Sequence, residues 1–543
     1  MHEIHSRTLT EVDLSQVTCI SGIERIQAEF PAYLSDESKL TSTGCDTLYL
    51  PKSEEELAAV LRFLNSQAIP VTIAGARTGL VGGSVPPGGA LVSLENLNQI
   101  QAVYFLPEAD EWRVTAQAGV SLYSLNEFLQ SRETPALGGW QFDIKESFAL
   151  FKSDHDAYFY PPDPTETTAS LGGTVATNAS GARAYRYGST RTWVRRLRVF
   201  LANGEYLDIP RGKYFASTSG QFMFFTIDGQ AHSFSIPDYR WPKTKNTAGL
   251  FTAPQMDLID LFIGSEGILG LVTTIEVALL KRQNKIAMVQ FLESDDQAVK
   301  LTTTLRSEIG LALNYLEYYS ENTLKLLRSL QGKPGYPAGI PQIPSSARSA
   351  LFFEMDYDPA TEDQMLLVLE ATVNQVGADL ANSWAATDTH EMDDFQRLRH
   401  LVPETINGII AERKRKHPGL HKLGTDLAVP DEHLSEMWRL YQTECDKKGF
   451  EWYAFGHIGN NHIHVNILPR DMAELKAGKE LFEQFARHAV ELGGTVSAEH
   501  GIGKLKHNFL KLMYSPAEVD QMRAVKHALD PEGILNPGVL FSE

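Results

Sequence analysis

Apolar positions change their period several times along the chain, and each change marks an element. Leu57, Val60, Leu61 and Leu64 recur at the three- and four-residue spacing of a helix face. Ser53 and Glu56 precede and enter that run as a capping box, each side chain expected to meet an orphan amide. After Ala68-Ile-Pro70, the apolar run Val71-Thr-Ile73 predicts a short strand, and Leu271 to Val277 predicts a longer one. Ile286 to Phe291 and Ala350 to Met355 read as two further strands, and Gln364 to Glu370 as a helix. Ser515-Pro-Ala-Glu518 is a second capping box with Pro at the first helical position, opening a helix that runs to Asp530. The Pro/Gly-rich stretch 331–344 predicts a surface loop. Strands and helices are mixed, so the expected class is α+β.

Between these periodic segments lie stretches with almost no bulky apolar residue. Ala74-Gly-Ala-Arg-Thr-Gly79-Leu-Val-Gly-Gly83-Ser84 follows the first strand. Its glycines let the backbone turn sharply and aim successive amides into a concavity, which suits a phosphate. A Gly-rich turn between two strands fits that stretch equally well. Residues 161–181, from Pro161-Pro-Asp163 through Ser170-Leu-Gly-Gly173 to Asn178-Ala-Ser-Gly181, are dominated by small and hydroxylated types, and Tyr187-Gly188 continue them. Close approach of backbone to a ligand explains that composition better than core packing does. A third stretch, Asp260-Leu-Phe-Ile-Gly-Ser-Glu-Gly-Ile-Leu-Gly270, leads into the strand at Leu271. No strand-then-GxGxxG-then-helix unit occurs, which disfavours a Rossmann nicotinamide site.

At 543 residues the length suits about three to four domains of about 150 residues each. The 49 Lys plus Arg against 68 Asp plus Glu leave a net charge of −19, which argues against a broad nucleic-acid surface. The one basic run, Arg413-Lys-Arg-Lys416, reads as a solvated loop. Cys19, Cys45 and Cys445 are far apart in sequence and form no CxxC pair, which excludes a Cys-rich zinc module and suggests a reducing compartment. The N-terminal stretch MHEIHSRTLTEVDL lacks a basic region followed by an apolar core, and no apolar run is long enough to span a bilayer. The expected location is the cytoplasm, with peripheral contact at the inner membrane left open.

One stretch carries concentrated chemistry. Tyr453-Ala-Phe-Gly-His-Ile-Gly-Asn-Asn-His-Ile-His-Val-Asn466 places His457, His462 and His464 within eight residues. With Asn460-Asn461 as a two-residue hairpin turn, His457 would oppose His464 directly, close enough for both rings to reach one divalent cation. His462 would share their face. A sheet edge with solvated histidines is the better reading of the stretch taken alone.

Taken together, these stretches resemble the vanillyl-alcohol oxidase/PCMH flavoprotein superfamily, in its D-lactate dehydrogenase, glycolate oxidase D-subunit and D-2-hydroxyglutarate dehydrogenase branch. The family forms are RGxGT, P-D-P before GG-x-x-A-x-N-A-x-G, GSEGTLG, and GHxGDGNxH followed by EHG. Here Ala74 stands at the family's usual Arg and Arg77 at its Gly, Ile268 replaces the Thr of GSEGT, and Asn460-Asn461-His462 replace Asp-Gly-Asn. The resemblance implies a PCMH-type FAD-binding domain over 43–282, following an N-terminal segment 1–42. It also implies an α+β substrate cap over 283–495, and a segment 496–543 that returns to the FAD domain.

FAD, expected to be noncovalent, would contact Ala74, Gly75, Ala76, Arg77, Thr78, Gly79 and Ser84 in the first loop. Pro161, Asp163, Thr168, Gly172, Gly173, Thr177, Asn178, Ser180, Gly181, Tyr187 and Gly188 would serve it from the second stretch, and Glu266, Gly267, Ile268 and Asn536 from the third stretch and the C-terminus. The same resemblance gives His457, His464 and Glu499 as ligands of a divalent metal, Zn or Mn, and His500 as general base. Arg399 matches the arginine that receives the substrate carboxylate, a role its planar fork suits, although a surface helix arginine is an even alternative. Lys422, offset from the family's Lys-x-Asp, along with His462 and Asn466, complete the expected substrate contacts.

The implied reaction is oxidation of a D-2-hydroxy acid to its 2-oxo acid, with hydride passing to flavin N5. An external acceptor (a quinone, a cytochrome or an electron-transfer flavoprotein) would take the electrons, and a homodimer is an expected assembly. An oxygen-using oxidase and a noncatalytic flavin relay subunit are the alternatives.

Overall fold

The computed structural model describes residues 9–133, 142–227 and 229–542. The first eight residues of the N-terminal stretch considered above lie outside the described residues.

The first sheet forms where short apolar runs meet. Thr47–Tyr49, Ala90–Ser93 and Val71–Ala74 pair in parallel, and Cys19–Ser21 adds an antiparallel edge. Helix Glu54–Ser66 buries Leu57, Val60, Leu61 and Leu64, the predicted stripe, while three glutamates in its first turn favour the positive helix end. Only half of its capping box forms. Ser53 Oγ accepts from the Glu56 amide at 3.2 Å, but the Glu56 carboxylate turns to the Lys52 amide at 2.8 Å. The second box, at Ser515 and Glu518, is complete and opens helix Pro516–Leu529.

A second sheet of five antiparallel strands runs Ile100–Leu106, Glu111–Gln117, Leu271–Ala278, Val194–Phe200, Tyr206–Pro210. Its central strand, Leu271–Ala278, is buried at every position, Thr273, Thr274 and Glu276 included.

The third sheet has seven strands in the order Ser383–Ala386, Lys285–Leu292, Ser349–Asp356, Leu313–Tyr319, Trp452–Gly456, His464–Ile467, Leu423–Gly424. The 26-residue helix Thr389–Lys414 buries Phe395, Leu398, Val402, Ile406 and Ile410 at helical spacing and holds Pro403 in its interior. The basic run therefore begins at a helix end rather than in a loop, and the Arg413 guanidinium is engaged by Glu451 and the Leu468 carbonyl.

Two connections set the site. The chain end returns to the first sheet: the Val71 amide donates to Ile534 O, the Asn536 amide to Val71 O, and the Ile73 amide to Asn536 Oδ1. Arg183 spans the first half and the seven-stranded sheet, 3.0 Å from Asp163 and 3.0 Å from Glu354.

Candidate active site

The loops that end the first sheet and enter the second converge on one elongated cleft. Gly75, Ala76, Arg77, Thr78, Gly79 and Ser84 line it from the first loop. Gly172, Gly173, Thr177, Ser180 and Gly181 line it from the second stretch, and Glu266, Gly267 and Asn536 close a third side. Ser170 ties two walls together, since its hydroxyl accepts from the Gly173 amide at 3.2 Å and from the Ala76 amide at 3.4 Å. Glycine is required at 172, where a Cβ would come within 2.6 Å of the Ala118 methyl. At 267 the backbone has φ +74° and packs against Asn536.

Other expected cofactor residues are engaged within the protein. Ala74 and Ile268 are fully buried in the core. Asp163 pairs with Arg183, Thr168 turns to Glu166, and Tyr187 donates to Asn314 Oδ1. Asn178 accepts from the Arg191 amide, Gly188 ends the short helix Ala184–Tyr187, and Pro161 is buried. The Arg77 guanidinium is drawn to Glu95 at 3.5 Å and lies 4.3 Å over the Tyr33 ring.

His457, Glu499 and His500 line the same cleft. The hairpin expected to carry the histidines has a different register: Phe455, not His457, opposes His464. The reason is tertiary. The chain inserts a tight turn, Ile458–Asn460, and Asn461 alone takes positive φ, at 54°. The Asn461 amide group donates to Val429 O at 3.0 Å, and its oxygen accepts from Arg306 at 2.7 Å.

His457 and His464 still converge. With Glu499, each offers one ligand atom, and all three atoms lie within 4.8 Å of one another. His457 Nε2 is 3.4 Å from Glu499, and His464 Nε2 is 3.8 Å from it. The outer nitrogens face acceptors: His464 Nδ1 is 2.9 Å from Thr425 O, and His457 Nδ1 is 3.1 Å from Glu317. With a cation between them, the inner nitrogens would be the atoms that donate electron pairs while the outer ones carry the protons, the second-partner pattern of histidine metal ligands. The residues therefore fit a divalent cation.

These groups also shift one another's titration. Burial would raise Glu499, but Lys245 and His457 beside it hold the carboxylate well below its usual range. Burial would lower His457, yet Glu499 and Glu317 raise it to about 9. Burial and the neighbouring histidines hold His464 well below its ordinary value.

Two buried carboxylates suspend the segment that bears Glu499 and His500. Asp426 accepts from the amides of Ala498, Glu499 and His500 at 3.0–3.2 Å, and from Lys506 at 2.7 Å. Glu266 accepts from the Ile502 and Gly503 amides, each at 2.8 Å. Burial raises Glu266 to about 7, an effect these amides oppose. Burial would raise Asp426 too, but His500 and Lys506 hold it well below the carboxylate range.

Arg399 points elsewhere than expected. Its fork closes on Glu317, with Nε to Oε2 at 2.8 Å, so it serves the carboxylate that faces His457. His462 is fully buried, its ring 4.3 Å from that of His464 and its Nε2 3.3 Å from Asp426. Lys422 is half-buried ahead of strand Leu423–Gly424, and Asn466 is buried two residues beyond His464 on the same strand.

The sequence matches the FAD binding domain family over residues 46–136 and 152–210, and the family described as FAD linked oxidases, C-terminal domain, over residues 281–540. The chain belongs to the FAD-linked oxidase family. It is similar to a D-lactate dehydrogenase of Anaerostipes hadrus, at 28% identity over 90% of this chain and 87% of that one. Similarity to the glycolate oxidase subunit GlcD of Bacillus subtilis is 26% over 98% of this chain and 96% of the relative. A D-2-hydroxyglutarate dehydrogenase of Stutzerimonas stutzeri is 26% identical over 94% of each chain. A solved alkyldihydroxyacetonephosphate synthase shares the fold, with TM-score 0.58 and 14% identity over 91% of this chain and 76% of that one. The PCMH-type FAD-binding fold expected from the sequence is thus present, and this FAD-linked oxidase is an FAD-dependent oxidoreductase.

Sequence reasoning missed Glu317, Lys245, Asp426 and Ser170. Glu317 carried a usable signal, since it is the lone acid in the otherwise uncharged strand Leu313–Tyr319. Lys245 lies in the polar run Lys243-Thr-Lys-Asn-Thr247, which offers no local clue.

Proposed function

We propose that the protein oxidises a D-2-hydroxy acid to the 2-oxo acid, with noncovalently held FAD and a divalent metal, Zn or Mn. The observation that carries this reading is the convergence of His457, His464 and Glu499 near His500, with His457, Glu499 and His500 lining the cleft of the glycine loops. The relatives named as dehydrogenases of D-lactate and D-2-hydroxyglutarate support the substrate class.

When bound, FAD supplies the two-electron acceptor and the metal a Lewis acid for the substrate's hydroxyl and carboxylate. The glycine loops would hold the cofactor by backbone approach, and His457, His464 and Glu499 would hold the metal. Glu317 and Thr425 O orient the two rings from behind. His500, which lines the cleft, takes the substrate hydroxyl proton. His462 and Asn466, expected from the sequence to contact substrate, are buried and do not line the cleft. An external acceptor, a quinone, cytochrome or electron-transfer flavoprotein, would take the electrons. Among the described residues no helix is long and apolar enough to cross a membrane.

The test is turnover of D-lactate and D-2-hydroxyglutarate with an artificial electron acceptor, by wild type and His500→Ala. Turnover that His500→Ala abolishes, with FAD retained, agrees with the reading; undiminished turnover in the variant contradicts it.

A further inference from the structure

The base assignment above leaves one question that the geometry answers: which nitrogen of His500 carries the proton in the neutral ring. The His500 side chain is 30% exposed on the cleft side, and its Nδ1 stands 3.2 Å from Asp426 Oδ2. The same oxygen accepts from the His500 backbone amide at 3.1 Å, so ring and backbone are held by one group. Asp426 is itself fixed. Its side chain is 3% exposed, Ser497 Oγ donates to it at 2.7 Å, Lys506 Nζ at 2.7 Å, and the Ala498 and Glu499 amides at 3.2 and 3.0 Å.

An ionised carboxylate only accepts hydrogen bonds, so the nitrogen facing it must carry the proton. In a neutral imidazole that leaves the other nitrogen with its lone pair. We propose that Asp426 is the positioning residue for His500, fixing the Nδ1–H tautomer so that Nε2 is the atom presented to substrate. This inference rests on the proposed role of His500 as base. A proton taken from the substrate hydroxyl at Nε2 gives an imidazolium, and its charge then faces Asp426, which stays ionised. On the far side Glu266 holds the Ile502 and Gly503 amides, so the ring is aimed from a segment fixed at both ends. The carboxylate also lies 3.3 Å from His462 Nε2, which places both rings in the same frame.

The experiment is a ¹⁵N–¹H correlation spectrum of the FAD-loaded, ¹⁵N-histidine-labelled protein, with His500 identified by its loss in His500→Gln. Wild type is expected to show the proton on Nδ1. In Asp426→Asn the proton is expected to move wholly or partly to Nε2. Anaerobic flavin reduction by a D-2-hydroxy acid is expected to slow by about 10²–10⁴-fold, the usual worth of general-base catalysis, with FAD content retained. A wild-type ring protonated on Nε2 overturns the proposal, as does an Asp426→Asn protein that keeps Nδ1–H or reduces flavin at the wild-type rate. If Asp426→Asn does not fold, the wild-type spectrum decides alone. Unimpaired flavin reduction by His500→Gln would instead overturn the base assignment, and the tautomer measurement would still report on Asp426.

Discussion

Arg399 closes on Glu317 through a two-point ion pair, Nε to Oε2 at 2.8 Å, and the other oxygen of that carboxylate stands 3.1 Å from His457 Nδ1. The guanidinium is therefore committed to a buried acid behind a metal-ligand candidate. Burial would raise Glu317, but the Arg399 and His457 charges hold it well below the carboxylate range.

The first prediction concerns that pair. Arg399→Gln leaves Glu317 buried without its cation, which costs about 3–5 kcal/mol. It also loosens His457, and loss of such an outer partner typically weakens metal affinity about 10–100-fold. Chemical denaturation and metal titration of the FAD-loaded protein measure both. A raised KM for the hydroxy acid, with stability and metal affinity unchanged, would return Arg399 to the substrate role read from the sequence.

A second prediction separates the metal from the flavin. His464 offers Nε2 to the ligand group but does not line the FAD cleft. His464→Gln should lower metal affinity by more than the about 100-fold expected of an outer partner, while FAD stoichiometry stays at wild type. Metal content by mass spectrometry and flavin content by absorbance are the readouts. Equal metal content in variant and wild type would remove His464 from the ligand set.

The third prediction tests the cleft wall. A methyl at position 172 would sit 2.6 Å from the Ala118 Cβ, so the wall must move outward or inward to accept it. Gly172→Ala should weaken FAD retention by about tenfold or more, a loss of about 1.4 kcal/mol. Metal binding should be untouched, because Gly172 is on the opposite loop from His457, His464 and Glu499. Full FAD occupancy at dilutions that strip no flavin from wild type would refute this placement.

The fourth concerns pH. Burial pushes Glu266 up to about 7, above the about 4.3 of an unfolded glutamate, so the folded state holds this proton more tightly. Its contribution is complete below the unfolded value and is lost as pH rises through about 7. The effect is on the order of 3 kcal/mol across that window. The unfolding free energy of wild type should therefore fall more steeply between pH 5 and 7 than that of Glu266→Gln. Parallel pH profiles for the two proteins would show that Glu266 does not titrate there.

Much of this site was legible in the sequence, for reasons that differ by residue. The FAD loops announce themselves because close backbone approach demands small residues, and Gly172 and Gly267 meet that demand locally. His457, His464 and Glu499 were legible as a set through resemblance, but their register was not. A two-residue turn at Asn460-Asn461 satisfies local rules, yet Arg306 and Asp431, distant in sequence, draw Asn461 into a longer connection. Arg399 shows the same limit: its fork suits a carboxylate, and the carboxylate it meets is Glu317, 82 residues away. Asp426 lies four residues beyond Lys422, but only the fold brings it under three amides of a segment over 70 residues later.

The central claim is that the metal group and the FAD cleft oxidise a D-2-hydroxy acid together. Its most direct test is anaerobic bleaching of the bound flavin by D- and L-2-hydroxy acids, before and after chelation of the metal. The account predicts bleaching by a D-acid that chelation abolishes and that added Zn or Mn restores. Bleaching by L-acids, or bleaching by D-acids that survives complete metal removal, would contradict it.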